Sequence, residues 1–181
     1  MARVAIIDPL TASDDTRQLL EAVQSGLGMV PNFVRVLANS PAALSAFLGL
    51  HGIAGAGLLD PKTRERIALT VAEQNACQYC VSAHTAIGRK VGLDNQEMLA
   101  NRMGRSSDAK ADAALTFARA LVEHTGEVSR AEFDAVRDAG HSDGEIIEII
   151  THVAMNIFTN LLGKATQVEI DFPRIELQKA A

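Results

Sequence analysis

Tryptophan is absent, tyrosine occurs once and phenylalanine six times, so aromatic side chains make up only 4% of the 181 residues. The core must therefore be filled by Ala, Leu, Ile and Val, a composition suited to close-packed helices rather than to a β-sandwich or barrel. Basic charge is scarce as well: 17 Lys and Arg against 22 Asp and Glu leave a formal net charge of −5. A dedicated nucleic-acid binder needs a clustered basic surface, so no nucleic-acid partner is expected. No uninterrupted apolar run approaches the ~20 residues that cross a bilayer. The short apolar stretch from Val4 to Ile7 meets Asp8-Pro9 too early for a secretory signal. The expectation is a soluble, cytoplasmic protein without a membrane partner. A phosphate-binding loop is missing too. Gly49, Gly52, Gly55 and Gly57 fall in or at the end of an apolar helix, with no preceding strand and no P-loop lysine, and are expected to be close-packing positions.

What is present reads as helices. Hydrophobic residues at 48% and charged residues at 22% are those of a folded globular chain, and the length allows one domain. That domain is expected to span residues 1–181, with residues 1–60 as a helical extension packed on the rest. Ser40-Pro41 and Asp60-Pro61 each put a capping side chain before a proline at the first helical position. Asp94 to Glu97, Ser129 to Glu132 and Ser142 to Glu145 have capping-box spacing, and Gly92, Gly104, Gly126 and Gly140 sit where helices stop. Helices are predicted at about 14–25, 32–39, 41–56, 61–75, 77–91, 95–103, 108–124, 130–139 and 143–162. Residues 4–7 and 168–172 could form short extended segments without enough neighbours for a sheet, so the class is all-α. The last helix carries an apolar stripe too wide for a surface helix, which places it centrally or at a subunit interface. Its remaining face holds Glu148, His152, Asn156 and Thr159, either as a polar pocket or as an internally bonded face.

The chain's two cysteines are Cys77 and Cys80, a C-x-x-C pair. Without a signal peptide, that spacing points to redox or metal chemistry rather than to a secreted disulfide framework. On one helix Cys77, Cys80 and His84 are spaced i, i+3, i+7 and share a face, with Cys80 and His84 on adjacent turns. Adjacent turns also bring the two cysteines within disulfide reach. At the start of a helix the unpaired N–H groups and the helix dipole stabilise a thiolate, and His84 is placed to act as its base. Glu65 enters by symmetry. A turn at Gln74-Asn75 folds two helices into a hairpin that brings Glu65 level with His84, each about 14 Å along its helix from the turn. The carboxylate can then orient the imidazole, giving a Cys-His-Glu relay. Cys80, one turn from His84, is the better placed nucleophile, since Cys77 lies about 10 Å from His84 along the axis. Other readings stand beside this one: Glu65 as a surface charge between Arg64 and Arg66, the cysteines as inert core residues, and Cys77, Cys80 and His84 as three ligands of a zinc module. His51, His124 and His141 have no comparable context and are expected at the surface or at helix ends.

Glu65, eleven residues, Cys77-Gln-Tyr-Cys80, three residues and His84 together resemble the alkylhydroperoxidase D-like branch of the carboxymuconolactone decarboxylase superfamily. Residues 29 to 50, including Met29 to Arg35 and Leu37 to Pro41, resemble the N-terminal region of its peroxidase-related members. The resemblance implies an all-helical fold in trimers or hexamers, with Cys80 attacking a hydroperoxide, Cys77 resolving the sulfenic acid as a disulfide, His84 relaying the proton and Glu65 as its partner. It implies no metal and no cofactor, and a dithiol reductant of the lipoyl-carrier type. The true decarboxylases of the superfamily lack the redox pair, which points away from decarboxylation. One departure stands out: the best-known peroxidase of this type has a histidine just before the second cysteine, where this chain has Tyr79. The expected activity is a thiol-dependent peroxidase, with a redox-sensing disulfide switch as the alternative.

Overall fold

Across residues 2–178, which the computed structural model describes, nine α-helices form: α1 (Asp14–Leu27), α2 (Asn32–Leu37), α3 (Pro41–Gly55), α4 (Pro61–Gln74), α5 (Gln78–Lys90), α6 (Asn95–Arg102), α7 (Ala109–Glu123), α8 (Arg130–Asp138) and α9 (Asp143–Thr166). Their starts are chemical. Ser40 caps α3 by accepting from the Ala43 N–H, Asp60 caps α4 by accepting from Lys62 and Thr63, and Ser129 and Ser142 form full capping boxes with Glu132 and Glu145. Their stops are glycines with positive φ at Gly92, Gly104, Gly126 and Gly140, and also at Gly28.

The expected box at Asp94 and Glu97 is only half formed. Asp94 accepts from the Glu97 N–H, but the Glu97 carboxylate turns inward to Arg66, Asn101, Ser106 and Ser107. Tertiary partners outcompete the local cap because they satisfy both carboxylate oxygens out of water. Among the described residues no strand forms; Ile7 and residues 168–172 lie outside the helices, with the Ile7 carbonyl accepting from the Arg35 guanidinium.

Helix α4 is the axis of the packing, in contact with α5, α6, α7 and α9. Its Ile67, Leu69 and Val71 are fully buried, and each such side chain contributes about 1.5–3 kcal/mol as an upper figure. One core joins α4, α7, α8 and α9 through Ile67, Phe117, Val136 and Ile149; a second joins α1 to α3 with the start of α5 and the C-terminal segment through Leu20, Phe33, Leu44, Val81 and Val168.

Three expectations are corrected here. Helix α9 continues past Gly163 to Thr166, and its 24 residues are long and apolar enough in composition to cross a bilayer. It is nevertheless a core element, packed against α3, α4, α5, α7 and α8, with His152, Asn156 and Asn160 buried in its length. Gly49 and Gly52 are not close-packing positions, since a methyl group at either would meet nothing within 4 Å, whereas one at Gly57 would strike the Glu148 carboxylate. His141 sits at a helix end, between α8 and α9, but not at the surface. It is buried, with Nε2 donating to the Lys110 carbonyl.

Candidate active site

The hairpin between α4 and α5 turns on Asn75 and Ala76. Ala76 takes a left-handed φ of 50°, and the Cys77 N–H closes the turn onto the Ala72 carbonyl at 2.9 Å. A non-glycine residue in that region is strained, and α9 holds it in place: Asn75 donates to Asn160 Oδ1 at 2.9 Å, and Lys164 Nζ donates to the Asn75 carbonyl at 2.7 Å. Cys77 becomes the N-cap of α5, its Sγ accepting from the Cys80 N–H at 3.4 Å.

On the two arms of the hairpin Glu65 and His84 come level, with Glu65 Oε2 2.8 Å from His84 Nδ1. A carboxylate only accepts, so Nδ1 carries the proton and Nε2 is left as the basic nitrogen. Both side chains are mostly enclosed, at 16% and 22% exposure. Glu65 is therefore no surface charge, although Arg64 and Arg66 flank it. Arg66 is taken up by Glu97, and Arg64 donates to the Gly55 carbonyl at the end of α3. Glu73, the other carboxylate on α4, is occupied by Arg102 Nε at 2.6 Å and the Gln178 N–H at 2.6 Å.

Cys77 and Cys80 are joined as a disulfide with their Cα atoms 5.3 Å apart, inside the usual range. Both are buried, and α9 passes them at Gly163, where a methyl group would sit 3.4 Å from Cys77 Sγ and 3.8 Å from Cys80 Sγ. The zinc set of Cys77, Cys80 and His84 does not form: the sulfurs are bonded to each other and His84 is engaged with Glu65. Among the described residues no group of three His, Cys, Asp or Glu side chains converges to hold a metal.

Tyr79 points away from this chemistry. Its hydroxyl donates to Asp171 Oδ1 at 2.9 Å and accepts from the Phe33 N–H at 3.2 Å, while Asp171 Oδ2 accepts from the Asn32 N–H at 2.7 Å. Burial pushes its phenol far above the usual tyrosine range against the Phe33 N–H, and the Asp171 charge adds to the rise. It stays protonated and ties α2 and the C-terminal segment to the start of α5.

Two further histidines lie in this electrostatic neighbourhood: His152, which helical spacing places on the polar face of α9, and His51, which no spacing signal announces. Crowding by the surrounding protein holds His51 of α3 below the ordinary histidine value, and the facing His84 lowers it further against the pull of Glu65. His152 of α9 is lowered by burial, partly offset by the Ala54 carbonyl, and its Nε2 has no protein partner. The polar face of α9 is otherwise internally bonded. Glu148 accepts from the Leu58 and Leu59 N–H groups at 2.8 and 2.9 Å, and Asn156 donates to the His152 carbonyl.

A helical hairpin with a C-x-x-C pair at its turn and a Glu–His contact between its arms defines an alkylhydroperoxidase D-like fold, and known proteins agree. Residues 41–123 match the model of the carboxymuconolactone decarboxylase family. The crystal structure of the alkylhydroperoxidase AhpD core of an uncharacterized peroxidase-related protein from Ralstonia eutropha JMP134 superposes with a TM-score of 0.85 at 27% identity, covering 94% of this chain and 92% of that one. An uncharacterized peroxidase-related protein from Silicibacter sp. TM1040 gives a TM-score of 0.80 at 29% identity over 92% of this chain and 88% of that one. The debrominase Bmp8, solved as a cysteine-to-alanine variant in complex with 2,3,4-tribromopyrrole, shares the fold at 22% identity with a TM-score of 0.78, over 94% of each chain. No curated protein matches the chain.

Proposed function

We propose that the protein is a thiol-dependent peroxidase that reduces hydroperoxides through Cys80 and Cys77. The observation that carries this reading is the 2.8 Å contact between Glu65 Oε2 and His84 Nδ1, which leaves His84 Nε2 basic one helical turn from Cys80. In the dithiol state His84 takes the Cys80 proton, and the thiolate attacks the terminal oxygen of ROOH. The O–O bond breaks, RO⁻ leaves and is protonated from His84, and Cys80 becomes a sulfenic acid. Cys77 Sγ then attacks that sulfur, water leaves, and the disulfide seen in the structure forms. A dithiol donor returns the pair to the reduced state. Continual re-reduction suits the cytoplasm, where thiols are kept reduced.

The protein acts as a homo-oligomer in this reading. Helix α3 carries no charged residue, yet only Leu44 and Ala54 of its 15 residues are buried. Leu50, Ile53, Phe158 and Leu161 leave an apolar surface over α3 and α9 of the kind that is covered by a second copy.

The fold alone does not select the substrate, because a debrominase shares it. The test is turnover: reduced protein with hydrogen peroxide, an alkyl hydroperoxide or a brominated pyrrole, each with dithiothreitol or dihydrolipoamide. Consumption of many equivalents of a hydroperoxide, abolished in Cys80→Ser, supports the proposal. A single equivalent consumed makes the pair a redox switch, and turnover of the brominated pyrrole alone makes the chain a dehalogenating enzyme.

A further inference from the structure

The disulfide can be opened at either sulfur, and the surface around it is unequal. An open cleft of about 250 Å³ reaches Cys77 between the start of α5 and the end of α9, walled by Gly163, Lys164, Gln167, Val168 and Ile170. Cys80 does not line it. Cys80 keeps slightly more surface, 4% against 1% for Cys77, but the cleft opens on Cys77. Gly163 keeps the wall beside the sulfurs free of a side chain. Lys164 stands at the rim with its Nζ on the Asn75 carbonyl, which sets a positive charge beside the path of an incoming thiolate.

We propose that this cleft is the docking site of the reducing thiol and that exchange begins on Cys77 Sγ, so oxidant and reductant act on different sulfurs. The inference rests on the peroxidase reading for its biological meaning, but not for its chemistry. A thiolate attacks a disulfide in line with the bond it breaks, and a nucleophile entering a cleft lined by Cys77 and not by Cys80 meets Cys77 first. The donor thiolate forms a bond to Cys77 Sγ, the Cys77–Cys80 bond breaks, and Cys80 leaves as a thiolate one turn from His84. The donor's second thiolate then attacks its own sulfur in the mixed disulfide and expels Cys77 as a thiolate. Two electrons and two protons pass from the dithiol to the protein, and the donor becomes a disulfide.

The step is read without peroxide. The oxidised protein is mixed briefly with 2-mercaptoethanol, quenched in acid, unfolded and alkylated, and the cysteine peptide is sequenced by mass spectrometry. The expected product carries mercaptoethanol on Cys77 and the alkyl group on Cys80; the reverse pattern, or an even mixture, overturns the inference. Ile170→Trp, which fills the cleft, should slow reduction by dithiothreitol roughly tenfold while the rate of oxidation by peroxide is kept. Lys164→Glu, at the exposed rim, should slow reduction in the same direction if the first variant misfolds, and an unchanged reduction rate in a folded variant counts against the cleft. A protein without peroxidase turnover would still give the mapping result, so failure of that reading and failure of this one are separable.

Discussion

Glu65 and His84 are 19 residues apart in the chain and 2.8 Å apart across the α4–α5 hairpin. The contact fixes the imidazole tautomer and supports positive charge on the ring as it takes a proton. Glu65→Gln keeps the shape and removes the charge. It should slow oxidation of the reduced protein by roughly 10²-fold or more, with little change in melting temperature. Stopped-flow thiol oxidation checks this, and a change under about twofold would remove Glu65 from the mechanism. His84→Ala should be at least as damaging.

The attacking sulfur should be Cys80. With one equivalent of peroxide and a sulfenic-acid trap, Cys77→Ser should be labelled at Cys80, and Cys80→Ser should be nearly inert. Rapid labelling of Cys77 in the second variant would reverse the roles and leave His84 to the resolving step.

Tyr79→Phe tests whether the residue before Cys80 is structural. It leaves the Phe33 N–H and Asp171 without the buried hydroxyl they share, at a cost of about 1–3 kcal/mol. Denaturant unfolding should show that loss, while the peroxide step stays close to the parent rate.

Acid stability should depend on Glu97. Burial works against its charge, but bonds from Ser106, Asn101 and Ser107 more than offset that and hold its carboxyl down at about 2, against an ordinary 4.5. A carboxyl lowered on folding contributes stability that is present above pH 4.5 and lost as pH falls toward about 2. Thermal melts between pH 6 and pH 2 should show this loss, reduced in Glu97→Ala. At neutral pH that variant should be destabilised by about 3 kcal/mol, because Arg66 loses its enclosed partner.

The apolar surface of α3 and α9 predicts a homo-oligomer, for which the family resemblance implies a trimer or hexamer. Light scattering should return a multiple of 19.3 kDa, and Ile53→Asp combined with Leu161→Asp should shift it toward the monomer. A monomeric parent at micromolar concentration would contradict the expectation.

Much of this was legible in one dimension because it depends on local chemistry. Prolines after Ser40 and Asp60, serines three residues before Glu132 and Glu145, and glycines at the αL positions act within one helical turn, so the helix limits read from them lie within a few residues of the observed ones. The pairing of Glu65 with His84 was legible for the same reason: a short turn between two regular helices converts equal sequence distance into equal height. Where several elements compete for one side chain, local signals fail. Glu97 has capping-box spacing but is drawn to Arg66 and the Ser106-Ser107 loop. Gly163 resembles a stop yet lies within α9, where a methyl group would rest in ordinary van der Waals contact with the two cysteine sulfurs. The cysteine pair and the Glu65–His84 contact are thus written in the spacing of α4 and α5. Which sulfur meets the cleft, and that Tyr79 serves as a tie rather than a proton carrier, was decided by α9 and the C-terminal segment, whose approach no spacing within the motif encodes.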